Sequence, residues 1–128
     1  MADPVPYDTL YIRQGSDFTW PYPCDDADTG LAADFTGWNA RCEVRTGFGG
    51  ALVTRFHSDV AKGWDGLITL ATDGTGNLVM SLPRAKTALL TRLPIGAVWD
   101  IELIDPSGNI TPLVGGRAVV TLEVTTDV

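Results

Sequence analysis

Apolar and polar residues alternate one by one in short segments along most of this chain. In residues 38–46 the apolar side chains Ala40, Cys42 and Val44 are separated by charged ones, and residues 99–103 repeat the pattern. Successive side chains of a β-strand point to opposite faces of a sheet, so this period of two predicts strands with one buried face.

Eight or nine such strands are predicted, separated by turns rich in glycine, proline and aspartate. They cover residues 7–13, 17–20, 38–46, 51–57, 67–72, 77–82, 99–103, 110–114 and 118–125. Pro21 and Pro23 lack the backbone N–H that an interior strand needs, so they either end the second strand or confine it to a sheet edge. Gly115 and Gly116 allow a bend or bulge between the last two predicted strands.

One short helix is predicted near residues 83–91. Pro83 suits the first turn of a helix, because its missing N–H needs no partner there. Residues 85–90 are mostly good helix formers, and Pro94 ends the segment.

Many short strands and one helix indicate an all-β fold. We expect an antiparallel β-sandwich, Ig-like or jelly-roll-like, and a closed barrel is the other architecture that the pattern allows. The length of 128 residues suits a single domain over residues 1–128. The last strand ends close to Val128, so we expect a complete domain whose function lies in its surfaces.

The charge balance excludes several classes of partner. Sixteen acidic residues against nine basic ones give a net charge of −7. Such a chain repels the phosphates of nucleic acids and anionic membrane surfaces, so neither is expected as a partner. The N-terminus lacks the basic and apolar regions of a signal peptide, and no apolar run approaches the ~20 residues that cross a bilayer. We expect folding in a cytoplasm.

Few side chains of the kind that carries out catalysis or binds metals are present. Cys24 and Cys42 are expected to be free thiols, and the Cys/His spacing of a zinc site is missing. His57 is expected at the surface near a hairpin end. It cannot form a catalytic triad with Ser58 and Asp59, because neighbouring residues of a strand point apart.

The acidic segment 25–30 resembles the start of a calcium-binding loop. Counted from Asp26, however, the third ligand position falls on Gly30 and the twelfth on Gly37, where an EF-hand needs oxygen ligands. A solvated acidic turn is therefore expected. No catalytic, cofactor or metal site is predicted, and the chain is not expected to be an enzyme.

Aromatic residues supply the candidates for contact with a partner. Trp64 lies in a glycine-containing loop and is expected to be exposed, and we add Phe48, in the turn of residues 47–50, and Tyr11. Eleven aromatic residues on a sandwich also suit a carbohydrate-binding or receptor-binding module as an alternative function. Loss of glycan-array binding on Trp64→Ala would support that alternative, and a silent array would count against it.

The order of several landmarks along the chain resembles a known family. Gly15-Ser16-Asp17 precedes an aromatic strand, residues 35–41 read Phe-Thr-Gly-Trp-Asn-Ala-Arg, and residues 72–78 read Thr-Asp-Gly-Thr-Gly-Asn-Leu. A short helix at 83–93 and a final hairpin at 99–125 follow. This series resembles the N-terminal β-sandwich domain of phage baseplate upper proteins and related tail-fibre attachment domains.

The resemblance implies a structural component of a tailed-phage virion that acts through binding. It is expected to be a tail, baseplate or fibre-attachment adaptor, with a small head-associated decoration or head-fibre subunit as another alternative. It implies no cofactor, other virion proteins as partners, a homo-oligomer (trimer or hexamer) and location in the virion. Baseplate upper proteins continue into a long helical or fibrous region, whereas this chain ends at Val128, so it is not expected to be a whole fibre.

Overall fold

Eight strands form the body of the protein. The computed structural model describes residues 6–26 and 28–124. The strands are β1 (Leu10–Arg13), β2 (Phe18–Pro23), β3 (Asn39–Arg45), β4 (Leu52–His57), β5 (Gly66–Leu70), β6 (Asn77–Leu82), β7 (Val98–Ile104) and β8 (Ile110–Thr121). A 3-10 turn spans Val60–Lys62, and a helix of one turn, α1, spans Arg84–Thr87. The predicted all-β fold and the number of strands are confirmed.

All eight strands belong to one sheet that curls almost into a barrel, with the order β1-β8-β7-β3-β4-β5-β6-β2. The expected antiparallel sandwich is corrected in two respects. The sheet is continuous, and it is mixed, because β1 pairs parallel with β8 and β4 parallel with β5. A parallel pair needs a crossover, which residues 58–65 supply between β4 and β5.

The predicted inward alternation is confirmed in the central strands. The buried apolar residues of β3 and β7 are Ala40, Cys42, Val44, Trp99, Ile101 and Leu103. Phe56 of β4 is fully buried and makes an edge-to-face contact with Phe18 of β2 at 6.1 Å between ring centroids. One core therefore fills the curled sheet.

The proline-containing strand β2 lies at one edge of the sheet, and β8 lies next to the strand at the other edge. The second strand, which contains Pro21 and Pro23, pairs only with β6 and forms an edge, as predicted. The last two predicted strands are a single strand, β8, and its pairing with β7 shifts between Ile101 and Glu102. This bulge lies close to Gly115 and Gly116. Residue 125, the predicted end of the last strand, lies outside the described residues.

The predicted helix at 83–91 is shorter in the structure. Only Arg84–Thr87 are helical, and the next turns close through bonds from Leu89 N–H to Lys86 O and from Leu90 N–H to Thr87 O. The Leu90 carbonyl would need the N–H of residue 94, which is a proline, and it accepts instead from Gln14 Nε2 at 2.7 Å. The segment therefore turns toward β7 instead of continuing as a helix.

Candidate partner-binding surface

The turn between β3 and β4 presents an exposed aromatic ring. Backbone bonds from Gly50 N–H to Gly47 O and from Thr46 N–H to Ala51 O close this turn, at 2.9 and 3.0 Å. Phe48 at its tip is 95% exposed. Its candidacy as a contact residue stays a prediction, but its exposure suits that role.

A recess of about 650 Å³ lies beside Phe48. Tyr7 and Ile95, 68% and 85% exposed, also line it. Gly115 and Gly116 of β8 line it with backbone alone. We call this hollow the glycine-lined recess.

The segment of residues 6–8 forms one wall of the glycine-lined recess. Gly115 N–H donates to Pro6 O at 3.1 Å, and Asp8 N–H donates to Gly115 O at 3.0 Å. The buried indole of Trp99 donates from Nε1 to Asp8 O at 3.0 Å. The backbone of Asp8 approaches Gly116 so closely that a Cβ on that residue would collide with Asp8 O. The recess thus depends on a glycine pair that lets this wall lie against β8.

A second groove of about 540 Å³ adjoins the recess. The two hollows share Ile95 and Arg117, and the groove adds Arg92 and Leu122. Leu122 is 43% exposed. We call the surface formed by the recess and the groove together the docking face.

The charged groups of the docking face are partly paired. Arg45 Nη2 lies 3.1 Å from Glu43 Oε1, and Arg45 Nη1 donates to Gly50 O at 2.9 Å. Asp100 and Arg117, on neighbouring strands, form no ion pair with any residue that the structure describes. Burial raises the pKa of Asp100, and the charges of Glu102 and Glu43 raise it further.

Trp64 does not line the docking face, and it is half-buried rather than fully exposed. The Arg55 guanidinium lies over its ring at 4.4 Å from the centroid, and His57 meets it edge-on at 4.9 Å. The indole lines a cavity of about 340 Å³ whose other lining residues are Arg41, Glu43, Asp100 and Glu102. Glu102 accepts from Arg41 Nε at 2.9 Å, so this part of the sheet is an ion-paired outer face.

Tyr11, the third predicted contact residue, lies on β1 and is 65% exposed. It lines neither hollow of the docking face. Of the three predicted residues, Phe48 alone lines the docking face, and the cavity beside Trp64 shares Glu43 and Asp100 with the recess. Tyr7 and Ile95 were missed, because no local motif marks them as neighbours of Phe48.

The prediction of a surface position for His57 is wrong. Its side chain is 6% exposed, and its Nδ1 accepts a hydrogen bond from Asp59 N–H at 2.8 Å. The loop of residues 58–65 folds back and places Trp64 against the imidazole. Burial lowers the pKa of His57, the positive charge of Lys62 lowers it further, and Asp59 opposes the shift.

Acidification should therefore destabilise the protein through His57. The unfolded chain binds a proton below about pH 6.5, while folded His57 stays neutral to lower pH, so the free energy of unfolding falls as the pH drops below that value. We expect His57→Asn, which retains an acceptor, to lose this component between pH 7.5 and 5.5 in urea denaturation. Parallel pH dependence in the two proteins would contradict the assignment, since both share every carboxylate.

Both cysteines are free thiols, as expected, and both are buried. Burial raises the pKa of Cys24 to about 11, so its thiol is a poor nucleophile at neutral pH.

In the acidic segment, Asp26 Oδ1 accepts from Asp28 N–H at 2.8 Å, which makes the carboxylate part of a turn. Within the described residues, no group of three or more His, Cys, Asp or Glu side chains is placed to hold a metal ion.

Residues 6–26 and 28–124 contain no helix long and apolar enough to cross a membrane. In comparisons with known proteins, no protein-family model matches the chain, and no curated protein gives a significant match.

Proposed function

We propose that this chain is a structural, protein-binding domain of a tailed-phage virion, acting as a tail, baseplate or fibre-attachment adaptor. The observation that carries the proposal is the docking face, where Phe48, Ile95 and Tyr7 expose apolar surface around a recess. Exposed aromatic groups beside a concave surface are typical of protein-binding sites. The order of landmarks along the sequence supplies the link to phage tails.

The electrostatics of the chain agree with a protein partner. Its net charge of −7 disfavours nucleic acid and anionic lipid. Among the described residues, by contrast, the docking face is lined by Arg45, Arg92 and Arg117 and by only two carboxylates. A local surplus of arginine together with exposed aromatic rings is the composition found at the centre of protein interfaces.

Mass spectrometry of purified virions of the phage that encodes the chain tests this proposal. We expect the protein in the particle, and we expect Phe48→Ser to reduce its incorporation at least several-fold, because an exposed aromatic anchor is lost. Val60→Ser, which changes a 76% exposed side chain away from the docking face, is the matched control and should be incorporated normally. Absence of the wild-type protein from the virion would overturn the proposal.

The neighbours of the protein within the virion distinguish the adaptor from the alternative head-associated subunit. Cross-linking of intact particles should join the adaptor to tail or baseplate proteins, and a head subunit to capsid proteins. The carbohydrate-binding alternative stays a prediction. Arg55 already covers one side of the Trp64 ring, which leaves less of it for stacking on a sugar.

A further inference from the structure

The docking face joins several elements of the fold into one exposed surface. Its two hollows adjoin through Ile95 and Arg117, and together they engage parts of β3, β7, β8 and the segments before β1 and β7. Four large apolar side chains on this face are exposed, namely Tyr7, Phe48, Ile95 and Leu122.

The shape of the face is complementary to itself. Phe48 projects from a turn at the rim of the glycine-lined recess, and the recess, at about 650 Å³, has room for a phenyl ring. A projecting ring and a recess on one surface allow two molecules to join around a two-fold axis. Each ring then enters the recess of the other molecule, and one set of contacts is made twice.

The charge distribution favours the same arrangement. Two copies, each of net charge −7, repel one another wherever their acidic surfaces approach. Among the residues that the structure describes, the docking face carries Arg45, Arg92 and Arg117 but only Glu43 and Asp100 as carboxylates. It is therefore a face on which two copies meet without net negative repulsion.

The unpaired charges on the face also complement each other between copies. Arg45 is already bonded to Glu43, so it is neutralised within its own chain. Asp100 and Arg117 have no such partner within the described residues. In a two-fold pair, Asp100 of one copy and Arg117 of the other are available to form two symmetric ion pairs.

We propose that two copies of this chain associate through the docking face, with Phe48 of each copy in the glycine-lined recess of the other. This inference rests on the proposed function, since it names the partner of the same surface. A hexamer with dihedral symmetry contains such two-fold pairs, whereas a cyclic trimer does not.

Sedimentation velocity over a wide range of protein concentration tests the pair. We expect a concentration-dependent dimer for the wild-type chain, and we expect Phe48→Ser to weaken the association by about tenfold or more. Phe48 is 95% exposed, so its replacement leaves the core intact, and an unchanged melting temperature verifies this. Val60→Ser should associate like the wild type.

Disulfide trapping locates the contact. Phe48→Cys and Gly96→Cys are made separately and mixed under a mild disulfide oxidant, and we expect a mixed dimer, because Gly96 lines the recess that receives Phe48. The native Cys24 and Cys42 are buried and do not compete. Val60→Cys with Gly96→Cys is the control and should give no specific product.

A wild-type chain that sediments as a monomer at every concentration would overturn the inference, as would a dimer that Phe48→Ser leaves unchanged. The outcome is separable from that of the proposed function. A monomer that is present in virions refutes the pair alone and assigns the face to a different virion protein. A dimer that is absent from virions refutes the virion role alone.

Discussion

Phe56→Ala should lower the free energy of unfolding by about 3–5 kcal/mol, the usual cost of removing a fully buried aromatic ring. Phe56 has no exposed surface and contacts Phe18 in the middle of the core. Its ring also lies over Gly66, its partner across the parallel pair of β4 and β5, where a Cβ added to the glycine would overlap the ring. The ring and the glycine therefore form one packing unit.

Gly66→Ala tests that unit by adding a methyl group instead of removing a ring. In the wild-type background we expect a loss of about 1–3 kcal/mol, because the ring of Phe56 cannot move within a close-packed core. In the Phe56→Ala background the same methyl group enters the cavity, and its cost should vanish or become a gain. Chemical denaturation of the four proteins gives the coupling, which we expect to be about 1–3 kcal/mol. Additive losses would contradict the packing unit.

The core could be predicted from the sequence because alternation depends only on the period of a strand. The apolar residues that alternate with charged ones in β3 and β7 are buried, and the two prolines of β2 lie on an edge strand. The direction of pairing could not be predicted in the same way. Side chains alternate identically in parallel and antiparallel strands, so nothing local shows that Leu10 lies beside Ala118.

The candidate site was only partly predictable for a related reason. Phe48 could be identified because a glycine-rich turn leaves its aromatic residue without a core to enter. His57 was placed incorrectly and Trp64 is less exposed than predicted, because the packing of the loop at 58–65 onto β4 is a tertiary contact. Tyr7 and Ile95 join Phe48 only after the sheet has curled. A surface built from segments far apart in sequence gives no periodic signal.

Gly116→Ala should destabilise the protein by about 2–4 kcal/mol, because three hydrogen bonds depend on the approach of Asp8 to this residue. A methyl group at position 116 would collide with the Asp8 carbonyl and push residues 6–8 away from β8. The backbone bonds of this segment to Gly115 and the bond from Trp99 Nε1 to Asp8 O would then break. The last loss is the costliest, since Trp99 is 3% exposed and its indole N–H would remain without a partner.

Chemical denaturation measures the loss in stability, and hydrogen exchange of the Trp99 indole proton shows where it arises. We expect that proton to exchange faster in Gly116→Ala than in the wild type. Gly96→Ala is the matched control, because a Cβ at that position meets no atom within 4 Å, and it should change stability by no more than about 0.5 kcal/mol. Unchanged indole exchange would show that the strand, not the wall, absorbs the methyl group.

Because the displaced wall carries Tyr7, Gly116→Ala should also weaken self-association, whereas Gly66→Ala, which acts inside the core, should not.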